Sequence, residues 1–361
     1  MNISFYQAEC GDAARIRVIG SDNKPHNIFI DAGYVRTFRY VLADQIRALQ
    51  STGEEIDLWV ISHIHDDHIG GAIAYINAVN DGEFKDIVHK WYYNPPRGLR
   101  SKLKTTNKIS ISGAKSITQG DDLASFLFSK DKLPITDITS ELLPLDIFGV
   151  KVTILSPNIF RLKQLRIKYP PDKDNPFEHI ELESISDAKF VVQNDYHIPI
   201  ESFNLNKFKE DDSVENGSSI SVLTEHENKR ILWLADAHPS IIVMSLKDIG
   251  YSKDNPINCD WVKVTHHGSI GNNSNELYEM IRCDNYLISA NGENRSCLPT
   301  KECLVRILMN KKRISGSHYK FHFTYDNPLL RSMFAIDGEL IFEKLNFSIY
   351  FPNDTSKMIN G

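Results

Sequence analysis

The sequence predicts an α/β fold with its chemistry at the carboxyl ends of strands. Three observations carry that prediction. Short apolar runs of strand length alternate with segments of helical period across 361 residues. Two of the runs, Asp57–Ile61 and Trp261–Val264, stop at clusters of histidine. A third, Arg230–Leu234, stops at Asp236. Strand, polar loop and helix in succession is the layout of a ligand site at a strand end.

Taken in order, Ile3–Tyr6, Ala14–Ile19 and Asn27–Ile30 read as short strands, with a turn at Gly11-Asp12 and an end at Asp31-Ala32-Gly33. Thr37–Gln50 spaces Phe38, Val41, Leu42, Ile46 and Leu49 as one buried face of a helix. Asp57–Ile61 is a buried strand, and Ala72–Val79 a helix behind the histidine cluster. A further helix is expected near Ile117–Phe128 and a strand at Gly149–Leu155. Residues 158–212, rich in proline and charge, are expected to form a polar insertion or lid outside the core. Ser218–Thr224 and Arg230–Leu234 read as a hairpin through Glu227-Asn228-Lys229, and Asn285–Ser289 and Phe321–Tyr325 as later strands. Met333–Phe351 reads as a closing hairpin turned at Asp337-Gly338, within a C-terminal β extension over about 316–361. No short repeat or low-complexity tract interrupts this order; length alone allows about two domains or one large α/β unit, and the chain is read as a single domain over 1–361.

Composition narrows the class. Hydrophobic residues at 41% and charged residues at 24% suit a globular protein and exclude a disordered tail. The net charge of −6 is unlike the basic footprint of a strong non-specific DNA binder. Five cysteines without a CxxC pattern suggest reduced thiols. No run reaches the ~18 apolar residues of a membrane span. The first residues lack a basic and apolar leader pattern, so a cytoplasmic protein is expected.

The strongest signal is Ser62-His63-Ile64-His65-Asp66-Asp67-His68-Ile69-Gly70-Gly71. With 13 histidines in the whole chain, three within six positions are not a chance cluster, and adjacent core imidazoles would need several partners. Zinc accepts imidazole nitrogen and carboxylate oxygen while keeping a position open for water. Residues two apart in an extended loop point the same way, so His63 and His65 can grip one metal. Asp67 and His68 lie just beyond, placed for a second. Asp236, with two oxygens, can bridge, against the alternative of a turn aspartate. His266 and His267 can add one imidazole or two. His238 precedes a proline and reads as a surface histidine rather than a ligand. Asp66 is not needed as a ligand and is expected to face solvent.

With these residues in view, the sequence resembles metallo-β-lactamase-fold hydrolases. Within them it is similar to the branch holding the nuclease domain of the bacterial DNA-uptake (competence) channel protein. Gly11-Asp12-Ala13, Ile28–Gly33, the HxHxDH run His63–His68, Asn216-Gly217-Ser218-Ser219, Leu234–Ala237 and His266-His267-Gly268-Ser269 follow that family's order over about 1–310. The resemblance implies a four-layer αββα sandwich with two metal ions, Zn or alternatively Mn, at one edge. It implies His63 and His65 on the first metal, Asp67 and His68 on the second, Asp236 bridging, and His266 and His267 completing the spheres. Asp67 and Asp236 are then the catalytic carboxylates, around a shared metal-bound hydroxide. Asp31 would hold a ligand histidine or the loop, against a plain strand-end turn. Three departures stand out. A further histidine between the first motif and Asp236 is missing, with His179, His197, His226 or Asn216 as substitutes. Ala235 replaces a glycine, and Leu298 stands where a His-Pro histidine would fall.

The substrate follows less directly. Family analogy points to a phosphodiesterase, with DNA or RNA as substrate. Arg97–Lys104, Lys311-Lys312-Arg313 and the aromatics Trp91, Tyr92 and Tyr93 could meet phosphate and stack on bases, or be a solvated loop beside core aromatics. A small-molecule ester, phosphoester or lactone hydrolase is the alternative. A metal-binding subunit of a larger complex, for example in defence, is the third class.

Overall fold

The computed structural model describes residues 1–99, 112–170 and 193–352, and the backbone of 356–360. Two sheets form the centre. The first has the order β16-β1-β2-β3-β4-β5, from Ser356–Asn360 (β16), Asn2–Tyr6 (β1), Ala14–Ile19 (β2), Pro25–Ile30 (β3), Ile56–Val60 (β4) and Val88–Tyr92 (β5). The second has the order β15-β14-β13-β11-β9-β8-β7-β6. Its strands are Leu145–Ile147 (β6), Val150–Ser156 (β7), Ser221–His226 (β8), Lys229–Trp233 (β9), Trp261–Lys263 (β11), Asn285–Ile288 (β13), Tyr319–Phe323 (β14) and Phe347–Tyr350 (β15). A small parallel pair, Ile257–Asn258 (β10) and Ile281–Arg282 (β12), stands apart.

Strand alternation explains the layering. Ile28, Ile30, Leu58 and Val60 of the first sheet meet Val150, Val152, Ile154, Val222, Ile231 and Trp233 of the second in one apolar layer between the sheets. The intervening residues face the other way. Phe29 and Trp59 pack with Trp91 against helices, and Leu223, Leu232 and Val262 do the same on the far side. Central strands such as β4 are thus apolar on both faces, which is why Asp57–Ile61 reads as a continuous apolar stretch, whereas β2 alternates buried and more exposed residues. The result is helix, sheet, sheet, helix, the four-layer sandwich the sequence predicts.

Among the described residues the helices are Val35–Thr37 (α1), Ala43–Thr52 (α2), Asp66–Asn80 (α3), Ser112–Ser129 (α4), Ile159–Lys168 (α5), Val214–Gly217 (α6), Pro239–Asp248 (α7), Asn275–Glu279 (α8), Lys301–Leu308 (α9), Pro328–Arg331 (α10) and Leu340–Lys344 (α11). A π-helical turn, Phe38–Leu42, joins α1 to α2. Ile69, Ile73 and Ile76 of α3 and Leu123, Phe126 and Leu127 of α4 pack on the outer face of the first sheet. Ile242, Leu246, Leu304 and Ile307 of α7 and α9 cover the second. No helix among the described residues is long and apolar enough to cross a membrane.

Two expectations change here, and one alternative is decided. The described ends of 158–212 are packed into the molecule rather than lying outside its core. Leu162, Leu165, Tyr196 and Ile200 are buried, Asp195 accepts the Lys301 and Glu302 N–H groups that open α9, and the Tyr196 hydroxyl donates to the Pro299 carbonyl. Met333–Phe351 is not a hairpin: β14 and β15 run parallel, which needs a crossover, and Leu340–Lys344 supplies a helical turn between them. Of the two readings of the aromatics, the core one holds: Trp91 and Tyr93 are buried, Trp91 stacked on Trp59 at 4.9 Å, and are not free to stack on bases. Among the described residues of the basic clusters, three are paired. Arg97 bonds Asp121, Lys312 pairs with Asp254, and Arg313 bonds the Leu345 and Asn346 carbonyls. Residues 100–104 and His179 lie outside the described residues.

Candidate metal centre

Strand β4 ends at Val60, and the chain crosses Ser62 and His63 before His65 takes the N-cap position of α3. Asp66 and Asp67 fall in that helix's first turn, where the unpaired N–H groups favour negative charge. The two carboxylates part company. Asp66 turns to α4, accepting from Gln119 at 2.6 Å and pairing with Lys115 at 2.7 Å, so it is held by a neighbouring helix rather than facing solvent alone. Asp67 turns to His267, with Oδ2 3.4 Å from its Nε2.

Close backbone approach fixes this helix start. A Cβ on Gly11 would lie 2.3 Å from the Asp67 carbonyl oxygen, and one on Gly71 2.1 Å from that of Ala32. Only glycine permits both contacts. They let the Asp12 N–H donate to the Asp67 carbonyl and the Ala32 N–H to that of His68.

Asp236, 1% exposed, sits at the centre, one short step past β9. Its Oδ2 is 3.3 Å from His68 Nε2, 3.6 Å from His266 Nε2 and 3.8 Å from His63 Nε2. Its Oδ1 is 3.6 Å from His267 Nε2. Among the described residues three groups have ligand atoms all within 4.8 Å of one another: Asp12, Asp31 and His68, and two that contain Asp236, namely Asp67, His68, Asp236 and His267, and His63, His65 and Asp236. His266 belongs to none of them and approaches Asp236 from the more exposed side. The expected ligands therefore gather from three distant chain segments, with Asp236 shared by two of the groups.

Each of three imidazoles is turned by its other nitrogen. His68 Nδ1 is 2.8 Å from Asp31 Oδ2, His267 Nδ1 is 2.9 Å from the Ser289 carbonyl, and His266 Nδ1 is 2.7 Å from Asn272 Oδ1. Such partners fix the tautomer and aim Nε2 inward. Asp31 holds the loop as well, accepting from the Ser62 N–H and hydroxyl. Backbone strain marks the same places. Asp31, Ala235, His266 and His267 all have positive φ, between 44° and 54°. Such conformations cost of order 1–3 kcal/mol each and cluster at functional sites.

The electrostatics show what the cluster lacks. Burial alone would lift the Asp236 carboxyl, but His266, His68 and His267 outweigh it and hold it well below the usual range. Burial alone would lower His68, yet Asp236, Asp31 and Asp67 push it well above its ordinary value. His63 goes the other way, lowered by burial and by the neighbouring His68 and His65. Both oxygens of Asp236 and the Nε2 atoms of His68 and His267 are buried without a hydrogen-bond partner. Buried polar atoms are rarely left so, and several converging here form an all-nitrogen-and-oxygen donor set that fits divalent metal.

Other residues fall into place around this centre. His238 is buried, 1% exposed, and not the surface histidine its sequence context suggests; its nearest acid is Asp211, at 3.9 Å. His226 bonds the Gly149 carbonyl at the far end of β8, and His197 is exposed. Asn216 is buried beside His266, donating to Asp211 at 2.6 Å, with its Oδ1 unpartnered. Sequence reasoning missed Asn272, Asp211 and the buried ion pair between Lys263 and Asp12. A lysine inside Trp261–Val264 was the available signal, because a buried charge needs a partner. That partner, Asp12, lies 3.5 Å from His267 Nδ1.

An open cleft of about 390 Å³ leads to the cluster, reaching Asp67, His266 and His267 between Tyr34 on one wall and Leu298 on the other. A protein-family model agrees with the fold. Residues 19–148, which include His63–His68, match the model of the metallo-beta-lactamase superfamily. Comparison with curated proteins gives no match. Among solved structures, the chain is similar to CmlA, a diiron beta-hydroxylase from Streptomyces venezuelae, at 12% identity and TM-score 0.40, covering 100% of this chain and 54% of that one. It is similar to a long form RNase Z from yeast at 11% identity and TM-score 0.36, covering 100% and 48%. The chain thus spans about half the length of these structures. The superfamily match over residues 19–148, which takes in β3, β4, β5 and the histidine loop, on a sandwich of two sheets between helices, gives this chain the metallo-beta-lactamase fold.

Proposed function

We propose that the protein is a metal-dependent hydrolase with two divalent ions, zinc or manganese, and that it acts as a phosphodiesterase of the nuclease type. The observation that carries this reading is Asp236: a buried carboxylate with both oxygens unpartnered, shared by two groups of converging ligands. Divalent metals bound there would supply an activated water at neutral pH and offset negative charge on the reacting oxygens. The chain's own residues do the rest. His63 and His65 would hold one ion, and Asp67, His68 and His267 the other, with Asp236 between. His266, braced by Asn272, closes the open side. Asp67 is partly exposed at the cleft, so its carboxylate can help to orient an attacking water there. The likeness to the competence-type nuclease branch rests on the HxHxDH and HHGS runs and supports a phosphodiester substrate.

A small-molecule ester hydrolase is the second reading. It is favoured by the size of the cleft and by Glu9 and Glu293 on its lining, which suit a long polyanion poorly. One assay separates the two. The zinc- and manganese-loaded protein is offered single-stranded DNA, RNA, bis(p-nitrophenyl) phosphate and p-nitrophenyl acetate. The phosphodiesterase reading expects cleavage of the phosphodiesters, lost in His65→Ala and Asp236→Ala. Cleavage of the acetate ester alone would replace it with the second reading.

A further inference from the structure

Within the cleft, the charged side chains divide unevenly. Asp67 belongs to the metal cluster. Glu9 and Arg36 form an ion pair with each other. The remaining charges lie on one loop, Glu293 and Arg295. Arg295 has no ion pair or hydrogen bond among the described residues.

The loop that carries it is built to hold its shape. The Asn294 side chain accepts from the Ser296 N–H at 3.2 Å and the Leu298 N–H at 2.9 Å, and donates to the Leu298 carbonyl at 2.6 Å. The Cys297 N–H donates to the Asn294 carbonyl, and Cys297 itself adopts a left-handed φ of 52°. Thr300 then caps α9 and also bonds the Gly268 carbonyl, tying this loop to the segment that bears His266 and His267. An unpaired guanidinium thus stands on a braced loop that is fastened to two of the ligand histidines. The wall beside it is apolar at Leu298, which is buried and can neither bind an anion nor move a proton.

We infer that Arg295 is the substrate-anion contact of this site: it binds non-bridging oxygens of the phosphodiester whose phosphorus faces Asp67 and His267. This rests on the phosphodiesterase reading and adds to it the residue that selects a charged over a neutral ester. Guanidinium is the cation suited to the task, because its planar fork meets two phosphate oxygens at once. Glu293, two residues away, opposes it, so the net attraction depends on Arg295 rather than on the charge of the loop as a whole.

The test compares wild type, Arg295→Ala, Arg295→Lys and Glu293→Gln, each loaded with zinc, with bound metal counted as the control for folding. Turnover of bis(p-nitrophenyl) phosphate and p-nitrophenyl acetate gives a ratio of kcat/KM values, and calorimetry gives affinity for inorganic phosphate. Losing one charge-assisted contact is worth roughly tenfold or more. Arg295→Ala is expected to lower the phosphodiester-to-acetate ratio by about that factor, mainly through KM, and to weaken phosphate binding similarly. Arg295→Lys is expected to recover part of both, and Glu293→Gln to tighten phosphate binding. An unaltered ratio and unaltered phosphate affinity in Arg295→Ala would overturn the assignment, even if wild type cleaves phosphodiesters. A wild type that cleaves no phosphodiester ends the broader reading, and phosphate affinity then still decides whether Arg295 binds the anion.

Discussion

Lys263 and Asp12 show how much of the site lies behind the atoms that would touch metal. Lys263 is 3% exposed in the middle of a parallel sheet, where an unpaired ammonium would be untenable. Asp12 neutralises it and faces the imidazoles of His267 and His68 from behind. Removing one partner strands the other. Lys263→Met is therefore expected to cost about 3–5 kcal/mol, read by urea unfolding. Adding Asp12→Asn is expected to recover much of it; equal losses in the single and double variants would show that the pair is not coupled. The cluster itself sets a pH dependence. The folded-state value of His68 is raised, so below it the ring carries a proton that metal must displace. Metal affinity is then weakest at low pH and strengthens as pH rises through that value. Calorimetric titration with zinc in buffers of different ionisation enthalpy is expected to show release of about one proton or more per chain near pH 6. No release would mean His68 is already neutral.

Helix α3 is the element on which the first histidine motif depends. Its first turn carries Asp67 and His68, and its glycines let it press against residues 31–35. Gly71→Ala would place a methyl 2.1 Å from the Ala32 carbonyl, an immovable backbone atom. The helix must shift, at a cost of at least about 2 kcal/mol. Because His68 and Asp67 shift with it, zinc affinity is expected to fall together with the unfolding midpoint. A stable variant with wild-type zinc affinity would show that the helix start is not what aims these ligands. At this scale the sequence was legible wherever the pattern was local. The run Asp57–Ile61 and the histidines after it could be read directly, because a strand apolar on both faces leaves no alternation to misread. β5 was not read, since His89 and Lys90 break its apolar pattern and only burial of Val88 and Trp91 against Trp59 makes it a strand. The ends of 158–212 misled for a different reason. Their polar residues serve as caps and anchors to α9, a role visible only once Asp195 meets Lys301 and Glu302.

In the molecule as a whole, the three apolar layers bring together segments more than 200 residues apart in sequence, from His63 to His267. The convergence on Asp236 could be anticipated from strand ends, because parallel strands in layered folds leave their carboxyl ends at one edge. What could not be anticipated is the supporting shell. Asn272, Asp211 and Ser289 are ordinary polar residues in sequence, and they acquire a purpose only from what lies opposite. The central claim is that Asp236 joins two metal ions at this edge. It is tested most directly by a crystal structure of the zinc-loaded protein with anomalous scattering recorded at the zinc edge. The expected result is two peaks, ~3.5–4 Å apart, flanking the Asp236 carboxylate and bounded by His63 and His65 on one side and Asp67, His68 and His267 on the other. Peaks located elsewhere, or none within coordination distance of Asp236, would contradict it.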